Sequence, residues 1–209
     1  MGEHRIFAVG DIHGCRTKLD RLMEVIDWRP EKREELVFLG DYIDRGPDSF
    51  GVVETVLELK ARYRGLVTCL MGNHEQMFAN FITGKESIVL SANGVSFTMR
   101  SYDRNSPFPV AHLDFYQNLR LYYETDNHIF VHAGLRPGKP LAEQTAEDFL
   151  WIRDDFLDSE YDFGKTVVFG HTPFKEPFIY PGRAGLDTGA VFGGPLTCLE
   201  VLEGRLISV

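Results

Sequence analysis

The sequence predicts an α/β protein built as a sandwich of two β-sheets with helices outside. Two observations carry this. The first third alternates short apolar runs with amphipathic stretches, a βαβαβα order that calls for parallel strands and helical crossovers. The second half is richer in short apolar runs and ends on a hairpin signal.

The elements follow in order. Arg5–Val9 is an apolar run ending in Gly10-Asp11. Leu19, Leu22, Met23 and Ile26 recur at helical spacing within Cys15–Asp27. Glu35–Leu39 is a second strand, ending in Gly40-Asp41. Val52, Val53, Val56, Leu57 and Leu59 form a helical stripe in Phe50–Arg62, with Asp48 or Ser49 as N-cap. Leu66–Met71 is a third strand, ending in Gly72-Asn73, and His74–Phe81 opens another helix. Gly84–Pro109, rich in Ser, Asn and Gly, reads as a loop or small insertion. Strands follow at His128–His132, Thr166–Phe169, Ala184–Asp187 and Leu196–Leu202, and Glu203-Gly204 turns the last of them into Arg205–Val209. With 209 residues and no repeat or Ser/Gly linker, the chain reads as a single domain over 1–209.

Composition removes several classes. Hydrophobic residues at 44% and charged residues at 25% exclude disorder or coiled coil as a description of the whole chain. A net charge of −9 argues against broad nucleic-acid or membrane binding, since both surfaces are anionic. It leaves room for a small anionic substrate at a local positive site. No apolar run approaches the roughly 18–20 residues that span a bilayer. Met1–Gly10 lacks the apolar core of a signal peptide. The three cysteines Cys15, Cys69 and Cys198 are odd in number and form no CxxC pair. A reducing cytoplasm is the simplest expectation.

The strand ends carry the chemistry. They read Gly10-Asp11-Ile12-His13-Gly14, Gly40-Asp41-Tyr42-Ile43-Asp44-Arg45-Gly46, Gly72-Asn73-His74-Glu75, His132-Ala133-Gly134 and Gly170-His171-Thr172. The carboxyl ends of strands in open α/β sheets converge on one crevice. That would gather Asp11, His13, Asp41, Asn73, His132 and His171. Carboxylate, imidazole and amide donors without thiolate suit Mn, Fe or Zn. Six donors exceed one tetrahedral zinc and suit two cations roughly 3.5–4 Å apart that share a carboxylate and a water.

These five motifs, in this order over residues 10–172, resemble the PPP family of metallophosphatases within the calcineurin-like metallophosphoesterases. They most resemble the short bacterial and phage-lambda-type serine/threonine protein phosphatases. The resemblance implies a four-layer αββα sandwich. It implies Asp11 and His13 on a first metal, Asp41 as bridge, and Asn73, His132 and His171 on a second. It implies His74 as general acid, Asp44 as the carboxylate that orients it and holds it protonated, and Arg45 as a phosphate clamp. Leu150-Trp151-Ile152-Arg153 is similar to the segment bearing the family's second phosphate arginine, which selects Arg153. The implied reaction is in-line attack by a metal-bridging hydroxide, with no phosphoenzyme. Manganese is the first choice of metal, with Fe or Zn as alternatives.

Other roles stay open at this level. His74 could instead be a third ligand or a helix-start residue. Arg45 could pair with a neighbouring carboxylate, and Arg153 with Asp154 or Asp155. Glu75 is expected to support the helix start, and Asp187-Thr188-Gly189-Ala190 to form a turn beneath the metals. The aromatics of Phe108–Tyr123 are expected in the core. His4, His112 and His128 are assigned nothing. After His171 the chain lacks the Ser-Ala-Pro-Asn-Tyr loop of the eukaryotic enzymes, so no regulatory subunit is inferred.

The expected substrate is phosphoserine or phosphothreonine in proteins, with phosphotyrosine as an extension. The alternative is a symmetrical dinucleoside polyphosphate hydrolase. Glu75 in GNHE and Asp44 before Arg45 favour the protein phosphatase over that alternative. A non-catalytic scaffold is disfavoured by the complete set of metal and acid residues.

Overall fold

Alternation along the strands builds the sandwich. In β1 (Ile6–Val9), Ile6 and Ala8 face one way and Phe7 and Val9 the other; all four are buried. The same holds for Val37 against Leu36 and Phe38 in β2 (Glu35–Phe38). A strand buried on both faces must lie between two apolar layers. A computed structural model describes residues 5–85, 94–103 and 107–209. In it, ten strands form two five-stranded mixed sheets flanked by helices.

The first sheet has the order β10-β9-β1-β2-β3, with β3 Val67–Cys69, β9 Thr197–Glu200 and β10 Arg205–Ser208. Its β1, β2 and β3 run parallel. The second has the order β4-β5-β6-β8-β7. Its strands are β4 Tyr122–Glu124, β5 His128–Val131, β6 Thr166–Phe169, β7 Phe178–Tyr180 and β8 Arg183–Gly185. Here β5, β6 and β8 are parallel. Ile6, Ala8, Val37, Leu70, Phe130, Val168, Ala184 and Leu199 pack between the sheets.

Helices cover the outer faces. α1 (Arg16–Val25) buries Leu19 and Leu22, and α2 (Ser49–Arg62) buries Val52, Val53 and Val56. The expected cap is present: the Asp48 carboxylate accepts from Gly51 N–H at 2.8 Å. α3 (Asn73–Ile82) follows β3 directly. Against the second sheet lie α6 (Ala146–Trp151) and α7 (Asp154–Leu157).

The structure departs from the sequence expectations at three places. Within the segment read as a loop or insertion, Val95–Asp103 is a helix, α4, which packs on α2 and buries Val95, Thr98 and Tyr102. The remainder of the expected insertion at 86–93, like His4, lies outside the described residues. A further helix, α5 (Val110–Gln117), packs on α3 and buries His112, Phe115 and Tyr116; Phe115 and Tyr116 lie in the core as expected of this region's aromatics, whereas Tyr122 is exposed. The edge strands β4 and β7 leave no periodic signal, because their residues are largely exposed and have no buried face to keep apolar.

Cys15, Cys69 and Cys198 are free thiols. Burial pushes Cys69 up to about 11, so it is a packing residue rather than a nucleophile. Among the described residues no helix is long and apolar enough to cross a membrane.

Candidate metal centre

The loops leaving β1, β2, β3, β5 and β6 meet at one end of the sandwich. Ile12 N–H and His13 N–H both donate to Asp41 O, and Gly170 N–H donates to His132 O. The loops are strained where the functional residues sit. Among the described residues, six non-glycine positions have positive φ, and five are His13 (45°), Asp41 (51°), Asp44 (71°), Arg45 (66°) and His171 (65°). Each such residue costs roughly 1–3 kcal/mol. The surrounding fold holds them there, and the residues so held are those the motifs single out.

Two groups of donor atoms share Asp41. His13, Asp41 and His74 offer atoms within 4.8 Å of one another, and so do Asp41, His132 and His171. All are buried. The shared carboxylate occupies the place expected of the bridge. Asn73 joins the second group, with Oδ1 2.9 Å from His132 Nε2 and 3.0 Å from His171 Nδ1. Asp11 is buried beside them, but its carboxylate is turned to His171 N–H (3.0 Å), and His74 stands in the compact group with His13.

The hydrogen bonds fix the tautomers. His13 Nδ1 donates to Ile43 O (2.7 Å) and His132 Nδ1 to Leu39 O (3.0 Å), because a carbonyl can only accept. The Nε2 lone pairs therefore face inward. His132 Nε2 points at two further acceptors, Asn73 Oδ1 at 2.9 Å and Asp41 Oδ1 at 3.5 Å. Buried His171 Nε2 has no hydrogen-bond partner among the described residues. Buried donor atoms converging in this way suit a cation. The donor set thus fits two oxygen- and nitrogen-loving metal ions.

The electrostatics agree. Burial, with Asp187 and Asp41 nearby, pushes the Asp11 carboxyl well above its ordinary range. Burial also lowers His132 and takes His171 down to about 2. Burial opposes ionisation of Asp41, but the surrounding imidazoles hold it well below the usual carboxylate range. A divalent cation here would ionise Asp11 and keep the imidazoles neutral.

Two glycines make room for the carboxylates. A Cβ on Gly72 would lie 2.1 Å from Asp41 Oδ1, and one on Gly170 would lie 2.0 Å from Asp11 Oδ1. Glu75 supports the same loop. Its buried carboxylate accepts from the N–H groups of Gly72, Asp41, Tyr42 and Ile43 at 2.8–3.2 Å. It does support the helix start, and it also fixes the loop bearing Asp41. The Asp187 carboxylate accepts from Gly189 N–H (2.9 Å), the turn expected there.

His74 lies at the N-terminus of α3 with Nδ1 donating to Asp44 Oδ2 at 2.7 Å. Its Nε2 is 4.0 Å from Asp41 Oδ2, facing the metal ligands. Asp44 is fully buried and is fixed in turn by α4. Thr98 Oγ1 donates to Asp44 Oδ1 (2.5 Å), and Asp44 N–H points at Thr98 Oγ1 (3.0 Å) and Ser49 Oγ (3.1 Å). Thr98→Val removes that donor while keeping the shape. We expect a loss of about 1–3 kcal/mol in stability, since a buried charged acceptor loses a partner. We also expect a lower turnover on substrates that need an acid. Denaturant melts and rates on phosphoserine and p-nitrophenyl phosphate check both.

The two arginines differ. Half-buried Arg45 brings Nη1 to 2.6 Å from His13 Nε2, so its guanidinium reaches the ligand cluster. Arg153 is exposed and donates to Thr172 Oγ1 (3.3 Å), next to His171. Its rival role in a salt bridge with Asp155 is weakened, because Asp155 pairs with Arg136 (3.0 Å).

The sequence matches the calcineurin-like phosphoesterase family over residues 4–203. The chain belongs to that family. It is 31% identical to an asymmetrical bis(5'-nucleosyl)-tetraphosphatase, PrpE, of Bacillus cereus, over 96% of this chain and 92% of the relative. A solved candidate diadenosine tetraphosphatase superposes with a TM-score of 0.80 at 26% identity, covering 99% of this chain and 93% of the other. A Saccharomyces cerevisiae protein serine/threonine phosphatase similar to human PP5 superposes with a TM-score of 0.66, over 100% of this chain and 80% of that one. At 17% identity it shares the fold.

Among the described residues, the His and Asp groups that could hold a metal all come from the strand-end motifs. The motifs do not reveal Thr98, whose contact with Asp44 spans 54 positions, nor Trp151, whose indole ring packs edge-on near His171 at 6.1 Å between centroids. A helical pattern over Val95–Asp103 was the one available signal for Thr98.

Proposed function

We propose that this phosphoesterase hydrolyses dinucleoside polyphosphates at two divalent cations, Mn first, with Fe or Zn as alternatives. Asp11, His13 and Asp41 would hold one cation; Asp41, Asn73, His132 and His171 would hold the other. The observation that carries the substrate class is the near-full-length 31% identity with an asymmetrical bis(5'-nucleosyl)-tetraphosphatase. The expectation from sequence put phosphoproteins first and symmetrical cleavage second. Its discriminators were Glu75 and Asp44. In the structure the Glu75 carboxylate accepts from the loop bearing Asp41 and Asp44 accepts from His74, so both discriminators have contacts within the scaffold of the site.

When bound, the two cations lower the pKa of water and offset charge on the phosphoryl oxygens. The chain supplies the rest. Asp41 ties the two ligand groups together. Arg45 binds phosphate oxygens beside His13, and Arg153 provides a second contact from the His171 side. Asp44 takes the Nδ1 proton of His74 in a hydrogen bond and so aims Nε2 at the leaving oxygen. A water that has given up one proton to solvent bonds through its oxygen to phosphorus, the P–O bond to the leaving nucleotide breaks with its electron pair staying on that oxygen, and His74 Nε2 delivers a proton there. Cleavage beside one nucleoside phosphate gives a mononucleotide and a nucleoside triphosphate.

In this reading the whole chain is one cytoplasmic catalytic domain with a small phosphate substrate. No regulatory subunit is inferred. The charge of −9 keeps it from nucleic acid and membrane surfaces. Time courses with Mn on diadenosine tetraphosphate, phosphoserine peptide and phosphotyrosine peptide test it. We expect AMP and ATP from the dinucleotide as the fastest reaction. Two molecules of ADP would overturn the asymmetry, and faster release from either peptide would restore the protein-phosphatase reading.

A further inference from the structure

Phe192 is an exposed aromatic residue that Arg45 links to the ligand cluster. It is 68% exposed, yet the turn carrying it is firmly held. Phe192 ends a short 3-10 turn, Ala190–Phe192, that follows the Asp187 turn. Lys18 Nζ donates to Ala190 O (2.8 Å) and to Gly194 O, which tethers both sides of the turn to α1. Phe192 N–H and Gly194 N–H both donate to Gly189 O, at 2.9 and 3.0 Å. A large apolar side chain is thus presented to solvent on an anchored backbone.

Its neighbour gives the exposure a meaning. The Arg45 guanidinium lies over the Phe192 ring, 5.6 Å from the centroid, while Nη1 of the same group reaches His13. One arginine therefore links the ring to the ligand cluster. A substrate whose phosphate meets Arg45 would bring whatever it carries on that side over Phe192. An aromatic face close to a phosphate-binding arginine suits a planar, π-rich group.

We propose that Phe192 is the stacking floor of a nucleobase subsite beside the first metal position. Arg45 binds the phosphate and Phe192 stacks the base attached to it. This deepens the dinucleoside polyphosphate reading and rests on it. It makes Phe192 a specificity determinant that separates nucleotides from phosphate carriers without a base.

Equilibrium titration of the Mn-loaded full chain tests this without turnover. The ligands are the phosphonate analogue of AMP, the matching ribose 5-phosphonate without a base, and benzylphosphonate. Base stacking on an aromatic side chain corresponds to roughly five- to 150-fold in affinity by alanine substitution. For this exposed ring we expect the wild type to prefer the nucleotide over the ribose compound by about tenfold, towards the low end. Phe192→Ala and Phe192→Leu should bring that ratio close to one, and Phe192→Trp should keep it. Any change that Phe192 imposes on Arg45 acts on both ligands and cancels in the ratio.

An equal affinity for the two ligands in wild type overturns the proposal, as does an unchanged ratio in Phe192→Ala. Full retention by Phe192→Leu would overturn stacking in favour of plain apolar contact. A Phe192-dependent gain for benzylphosphonate alone would assign the ring to an aryl phosphate and overturn the nucleobase. If diadenosine tetraphosphate is not hydrolysed, the proposed substrate fails, while the titration still decides the subsite.

Discussion

Asp41→Asn is expected to abolish metal-dependent phosphoester hydrolysis, by on the order of 10³-fold or more, because a group shared by both metal positions acts as part of one unit. Asp41 is the residue common to the two donor groups, with Oδ2 3.3 Å from His13 Nε2 and Oδ1 3.5 Å from His132 Nε2. Asn is nearly isosteric and tolerates the left-handed backbone found here at φ 51°. The variant should therefore fold. It replaces a charged bridging carboxylate with one neutral oxygen and an N–H₂ that repels cations. Metal content per chain by elemental analysis should fall together with turnover on p-nitrophenyl phosphate. Removing metal from the wild type with a chelator should likewise lower both activity and melting temperature, since ligand bound only by the folded state stabilises it. A variant that retains two metals and wild-type rates would refute a bridging role.

His74→Asn separates an acid from a ligand. His74 stands within the compact donor group with His13 and Asp41, so geometry by itself allows both roles. The 2.7 Å bond from Nδ1 to Asp44, itself buried and braced by Thr98, favours the acid. A general acid is worth roughly 10²–10⁴-fold when the leaving group is poor, and much less when it leaves well unaided. We expect His74→Asn to keep full metal content. The loss should be about a hundredfold or more on phosphoserine and about tenfold on p-nitrophenyl phosphate, whose phenolate is a good leaving group. An equal loss on both, accompanied by lost metal, would make His74 a ligand. Asp44→Asn should follow the His74 pattern, because it disturbs the same hydrogen bond.

The family assignment bears on how these results are read. Calcineurin-like phosphoesterases share a fold and a donor set, and a fold does not choose a substrate. The superposition on a protein serine/threonine phosphatase at 17% identity and the 31% identity with a nucleoside tetraphosphatase speak to different levels. The former speaks to architecture, the latter to family membership. Phe192 and Trp151 flank the cluster on the His13 and His171 sides.

Much of this protein was legible in its sequence because the signals are local. Strand β1 buries both faces, so it is a continuous apolar run, and it ends where Asp11 and His13 must turn out of the sheet. Asp48 caps α2 three residues before the N–H it accepts. Each motif sits within a few residues of its strand, and parallel topology then brings the strand ends together. What only the tertiary structure decided are contacts between segments far apart. Thr98 meets Asp44 across 54 positions, on a helix whose segment reads as a loop because Ser, Asn and Gly dominate around it. Arg45 meets Phe192 and Lys18 meets the turn at Ala190, pairings with no mark in either local pattern. The positive φ values at His13, Asp41, Asp44, Arg45 and His171 belong to the same class. Asp and His visit that conformation more readily than most L-residues, yet it still costs free energy locally. These values exist because the packed sandwich, the Glu75 carboxylate and the neighbouring strand ends leave those loops no other path.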